Sequence, residues 1–288
     1  MTNIGWVVDS SMNTKKSSDE SWDFRDKDEQ ALSSIYEAKG YIVTRGQKKY
    51  LDRIKRKILK EVINYVKDSQ KRDVNDEFLL EEIHEKIKPR ESNNLRLAIM
   101  KGISTGNEIN YEYFNAAKNV INTLCGNELA MQKRIGLSVN LPNNTEDSLP
   151  VHADTWNGVS PYALNIWIPL VDCKKSMCLY ILEREKYEEA QHKFNGLLLK
   201  DSEQVFNELK NKLTWIDIKF GDILAFDQSL PHGFTTNQEN DTHWSLNCRF
   251  KSIYSPYWDK KLGEYYMPIT IKSCTRLGID YKHPSKWL

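Results

Sequence analysis

Gly221-Asp222-Ile223-Leu224-Ala225-Phe226-Asp227-Gln228-Ser229-Leu230-Pro231-His232-Gly233 reads as a turn, a buried strand and a stop in one run. Gly221-Asp222 supplies the turn and Ile223 to Asp227 the strand. Leu230-Pro231 ends it, because proline has no N–H for a ladder, and His232 is left at the edge. Alone, the run is equally a turn into an ordinary core strand. A second stretch changes that balance: Pro150-Val151-His152-Ala153-Asp154-Thr155-Trp156. On an extended segment, side chains at i and i+2 share a face. His152 and Asp154 can therefore reach one point while the small Ala153 faces away. Two imidazoles and one carboxylate on one face of an octahedron leave the other face open, which is the donor set of a mononuclear non-haem iron site.

The long gap from Asp154 to His232 holds several strands, as expected when folding brings the second histidine alongside the first pair. Beyond a turn at Thr235 to Asp241, a returning strand carries Arg249, whose guanidinium is shaped to clamp a carboxylate. Ser245 and Asn247 share its strand face. Singly, each piece is common: His-x-Asp arises by chance, and an arginine is often a surface ion partner. In this order and at these spacings the metal site is the better reading. His84 and His192 sit in charged helical contexts and read as solvated. His243 is the rival to His232, but it lacks the strand-and-turn setting and reads as pocket lining. Trp167 is as well explained by core packing as by a ligand contact.

The 288 residues suffice for a substantial core. Lys+Arg at 41 against Asp+Glu at 40 leaves no net field to steer the chain toward nucleic acid or anionic lipid. The basic run from Arg53 to Lys60 alternates with apolar residues and reads as the wet face of a helix. The five cysteines are odd in number and form no CxxC pair, so neither a zinc ribbon nor a disulfide framework is expected. No apolar run approaches the ~20 residues of a membrane span, and the first residues lack a signal-peptide pattern. A cytoplasmic protein is expected.

Residues 1–30 are rich in Ser, Asp, Lys and Asn and read as a flexible leader, with Trp6, Trp22 and Phe24 as possible docking points. Residues 31–288 read as one domain, since no Gly/Ser/Pro linker divides them. Its first half (31–127) is helical. Ile54, Ile58, Leu59, Val62, Ile63 and Val66 form one stripe, and further helices are expected at Phe78 to Ile87, Asn93 to Ile103 and Tyr111 to Leu124. Ahead of the first of these, Gly40 to Thr44 reads as an edge strand. The second half (128–255) is a β core, with strands at Arg134 to Leu141, Ala163 to Leu170, Met177 to Leu182, Leu213 to Ile218, Ile223 to Asp227 and Ser245 to Ile253. Val205, Leu209 and Leu213 mark a buried stripe in between. Short strands separated by turns predict an α+β fold: a double-stranded β-helix (a jelly-roll, cupin-like core) with the N-terminal helices packed outside and a metal at the barrel mouth.

These residues resemble the Fe(II)/2-oxoglutarate-dependent oxygenases, and within them the phytanoyl-CoA hydroxylase-like branch. Gly40-Tyr41-Ile42-Val43 is similar to its opening strand, and Asn165-Ile166-Trp167-Ile168-Pro169-Leu170 to its central strand. Gly221 to Gly233 is similar to its second metal motif, and Asn247-Cys248-Arg249-Phe250 to its arginine strand. The resemblance implies that His152, Asp154 and His232 bind Fe(II). It also implies that Arg249 pairs with the distal carboxylate of 2-oxoglutarate, and that Trp167 and Gln132 line the co-substrate pocket. Where the family often has a hydroxyl residue two positions after the arginine, Lys251 stands, so Ser245 or a threonine is expected to substitute. Asp154 is a carboxylate, which disfavours a halogenating variant. The implied reaction uses O2 and 2-oxoglutarate to hydroxylate or otherwise oxidise a small molecule. Trp156, Asn157, Tyr162 and His243 suit a sugar, and the texture is nearest to oxygenases of bacterial carbohydrate clusters. Two other classes compete: a cupin-like metal-dependent sugar isomerase or lyase without 2-oxoglutarate, and a non-catalytic binding module.

Overall fold

The first helix, Lys27–Lys39 (α1), begins inside the expected leader because Asp26 caps it, accepting from the Asp28 and Glu29 N–H groups. It ends at Gly40, whose φ of 79° closes the helix and whose missing side chain makes room for Leu230. The computed structural model describes residues 23–70, 79–189 and 202–284. Most of the leader, with Trp6 and Trp22, lies outside them, as does His192; Phe24 is exposed. The stripe read from Ile54 to Val66 lies on a helix, Lys48–Gln70 (α2), with Leu51, Ile54, Ile58, Val62 and Val66 buried. Two more helices, Ser92–Ile103 (α3) and Glu108–Cys125 (α4), pack against it. The helix expected over Phe78 to Ile87 is only a short 3-10 turn, Leu80–Glu85, whose Leu80 and Ile83 anchor it.

The β half forms two antiparallel sheets. The larger has the order β1-β8-β5-β10-β2-β11, with β3 also on β10. Its strands are Tyr41–Arg45 (β1), Leu129–Gln132 (β2), Gly136–Asn140 (β3), Leu164–Pro169 (β5), Asp222–Asp227 (β8), His243–Ser252 (β10) and Tyr266–Thr270 (β11). The smaller has the order β4-β9-β6-β7, made of Leu149–His152 (β4), Tyr180–Ile181 (β6), Thr214–Trp215 (β7) and His232–Phe234 (β9). The α+β jelly-roll core is as expected, but it is two open sheets facing each other and no closed barrel. The expected strand Arg134 to Leu141 is present as Gly136–Asn140 (β3), and an unexpected one, Leu129–Gln132 (β2), precedes it along the same edge of β10. β1 is an edge strand, as expected.

Register explains why the whole of β5 is buried. Ile166 and Ile168 face the helices, where the Tyr113 hydroxyl of α4 donates to the Ile166 carbonyl at 2.6 Å. Asn165 and Trp167 face the smaller sheet, and Trp167 packs 6.1 Å from Phe234 of β9. Opposite them on β10, His243, Ser245, Asn247 and Arg249 form one polar row by the period of two. The outer face of the smaller sheet is covered by the helix Ser202–Leu209, whose Val205 and Leu209 join Leu213, Val151, Tyr180 and Leu182. That is the stripe read from sequence.

Candidate metal centre

The groove between the sheets places the two sequence motifs side by side. Antiparallel pairing of β4 with β9 sets His152 opposite His232, with ring centroids 4.4 Å apart. Gly233 is required for this, because a side chain there would strike the Leu149 carbonyl on one flank and Tyr180 on the other. After β4 the chain stays extended at Ala153 (φ −119°, ψ 138°), and Asp154 opens a single 3-10 turn. Its N–H donates to the Gln228 carbonyl at 2.9 Å, so the second motif holds the first by the backbone. One donor atom from each of His152, Asp154 and His232 lies within 4.8 Å of the others.

Both imidazoles are oriented alike. The Nδ1 atoms of His152 and His232 lie 2.9 and 2.8 Å from the Pro150 and Leu230 carbonyls, each two residues back in its own chain. A carbonyl only accepts, so Nδ1 carries the proton and the Nε2 lone pair is left for a metal. Burial, with the neighbouring His152 next, pushes His232 down to about 4, so it is neutral at ordinary pH. For Asp154, burial acts upward on the carboxyl, but Arg249, His232 and His152 together hold it below the usual value. Two imidazoles tied back through Nδ1 and one ionised carboxylate, converging from one side, fit a divalent iron.

Arg249 lies closer to this cluster than the sequence led one to expect. Its Nη2 is 2.6 Å from Asp154 Oδ1 and its Nε 2.8 Å from Oδ2, a two-pronged ion pair with Asp154 buried and Arg249 half-buried. Nη1 donates to Gln132 Oε1 at 2.9 Å and to the Tyr265 hydroxyl at 3.3 Å. The fork expected to take a co-substrate carboxylate is thus turned onto the carboxylate of the metal cluster. Gln132 supports the arginine from β2, and its own amide donates to the Arg134 carbonyl at 2.7 Å. Lys251, next along this face, donates to the Ser255 carbonyl and sits 3.3 Å over the Tyr257 ring.

Ser245 and His243 sit farther along the same row, with Ser245 Oγ 2.9 Å from His243 Nε2. His243 is fully buried, stacks on Trp167 at 5.9 Å and meets Cys173 Sγ at 3.5 Å through Nδ1. Trp167 is buried with no partner for its indole N–H among the described residues. Trp156, Asn157 and Tyr162 lie at the surface by the Asp154 turn, so the four expected substrate residues do not form one surface. His84, read as solvated, is half-buried against the Glu81 carbonyl and Thr242. Two residues of the cluster's surroundings were missed. Asn165 donates to Asp154 Oδ2 at 3.2 Å; its signal was present, a polar residue on the Trp167 face of an apolar strand. Tyr265 lies past the expected end of the β core and carried no signal.

No family model and no curated protein matches the chain. Solved structures do. A "Non-heme monooxygenase, ThoJ-Ni complex" aligns over 85% of both chains at 12% identity with a TM-score of 0.54. The apo form of the same enzyme aligns over 84% of both at 11% identity, also at 0.54. AviO1 from Streptomyces viridochromogenes Tue57 aligns over 81% of this chain and 99% of its own, at 14% identity and 0.50. At such identities the likeness is one of fold.

Proposed function

We propose that this chain is a non-haem Fe(II)- and 2-oxoglutarate-dependent dioxygenase acting on a small molecule. The observation that carries the reading is the convergence of His152, Asp154 and His232 with both imidazoles tied back through Nδ1. A fold shared with a structure described as a non-heme monooxygenase in complex with nickel supports it. When bound, iron would couple decarboxylation of 2-oxoglutarate to succinate with oxidation of a substrate C–H bond by O2.

The chain's own part is placement and exclusion of water. His152 and His232 present Nε2, and Asp154 presents one oxygen. Arg249 fixes that carboxylate and lowers its basicity, while Gln132 and Asn165 hold the pair in plane. Phe226, 4.8 Å from the His232 ring, and Trp167 close the inner wall against solvent. Trp167 and Ser245 border the space for the co-substrate, and the free indole N–H is one donor available to it. Trp156 and Tyr162, both exposed on the segment that follows Asp154, support a substrate with C–H faces to stack, of which a sugar is one class. The five free cysteines favour a reducing, cytoplasmic setting.

A metal-dependent isomerase or lyase that does without 2-oxoglutarate is favoured by one observation, the engagement of Arg249 with Asp154. Anaerobic titration of Fe(II) and then 2-oxoglutarate, followed by succinate detection under O2, separates the two. Succinate from wild type but not from Asp154→Ala supports the dioxygenase. Iron binding with no 2-oxoglutarate binding and no succinate overturns it.

A further inference from the structure

With Arg249 engaged, the groove needs another cation if a carboxylate is to be held away from the iron. The polar row on β10 shows where to look. Ser138 and Asn140 of β3 pair with Ser245 and His243, so they share the face of Arg249. Both line a cavity of about 520 Å³, within the range of small-molecule sites. Leu149 and Phe234, a cross-strand pair of the smaller sheet, line it from the other side. Leu137 and Val139, on the other face of β3, line it as well, so the cavity lies across the open edge of β3 at the end of the groove, and no residue of the metal cluster lines it. Leu149 stands three residues before His152 on β4, with an irregularity in the pairing between them. Arg90 and Arg96 border it from the α3 side.

Neither arginine is in an ion pair among the described residues. Arg96 donates to Asn93 Oδ1 at 2.7 Å with Nη2, which leaves the rest of its fork. Glu91, beside Arg90, accepts from the Lys88 N–H at 2.7 Å. Two acids also border the cavity. Asp147 is engaged through both oxygens, by the Ser92 hydroxyl at 2.8 Å and the Leu141 N–H at 2.9 Å. Glu146 is exposed. Two unpaired guanidinium groups over a polar floor suit a carboxylate or a phosphate.

We infer that this cavity is an anion subsite, in which Arg90 and Arg96 receive the carboxylate or phosphate end of a reactant whose other end lies at the metal cluster. The inference rests on the dioxygenase reading for what lies at that other end. The anion is either the distal carboxylate of the co-substrate or a group on the primary substrate.

The test is calorimetric titration of the full-length, iron-free protein with glutarate, a five-carbon dicarboxylate without a keto group, and with inorganic phosphate. Wild type is compared with Arg90→Gln/Arg96→Gln and with Arg90→Lys/Arg96→Lys, each checked for fold by its melting temperature. Binding of either anion should weaken about tenfold or more in the glutamine variant and be largely kept in the lysine variant. If the iron-loaded glutamine variant also shows a KM for 2-oxoglutarate raised about tenfold, the anion is the co-substrate's; an unchanged KM with lost phosphate binding assigns it to the primary substrate. Equal binding by wild type and the glutamine variant, or no binding by wild type at millimolar anion, overturns the subsite. Because iron is absent from the first measurement, its outcome is independent of the dioxygenase reading. Anion binding with no affinity for Fe(II) would remove that reading alone.

Discussion

The two sheets hold their share of the metal cluster by different means. The smaller sheet supplies both histidines from short strands, and each ring is fixed by a carbonyl of its own chain two residues back. The larger sheet supplies no ligand but contributes Arg249, Gln132 and Asn165, side chains from three strands that bind Asp154 or one another. One side of the groove is locally determined and tolerant, while the other is a buried charged network in which each member depends on the rest.

Substitutions on the two sides should separate that contrast. Arg249→Ala strands the buried Asp154 charge, and chemical denaturation should show a loss of about 3 kcal/mol; a loss below about 1 kcal/mol would mean the network is not coupled as described. On the other sheet, His152→Ala should weaken Fe(II) binding about a hundredfold while moving stability by no more than about 1 kcal/mol, because the ring is partly exposed. Anaerobic metal titration paired with melting curves reads both effects.

A smaller effect concerns pH. Burial pushes His243 down to about 4 from an ordinary 6.5. The unfolded chain therefore takes up a proton that the folded one refuses, and stability contributed by neutral His243 is lost as pH falls through that window. Between pH 7 and pH 5 the wild type should lose about 2 kcal/mol more than His243→Gln. Parallel denaturation at the two pH values tests this, and equal losses would contradict it. Smallest of all, Asn165→Ala should lower Fe(II) affinity about tenfold with the two histidines unchanged in orientation.

Where the sequence was legible, local rules governed. The apolar stripe of α2, the Gly126 cap of α4 and the Asp222–Asp227 strand follow from spacing, turn chemistry and β propensity alone. The convergence of His152 and Asp154 was legible for the same reason, since they are two positions apart on extended chain. Leu80–Glu85 was misjudged because an apolar pattern of that length suits a full helix equally well. The strand Leu129–Gln132 was missed because all four of its residues are buried, which leaves no alternation to read.

By itself, then, the sequence brought out the apolar stripe of the outer helical layer and the shared face of His152 and Asp154, which depend on near neighbours, while the short strands that carry His152 and His232 came only with the fold. Only the tertiary structure decided what Arg249 touches. A guanidinium's partner depends on the relative placement of β10, β2 and the turn after β4, elements far apart in the chain whose register is set by the packing of two whole sheets. The same packing opened the cavity beneath α3 and brought Arg90 and Arg96 to its edge, a juxtaposition that no local pattern encodes.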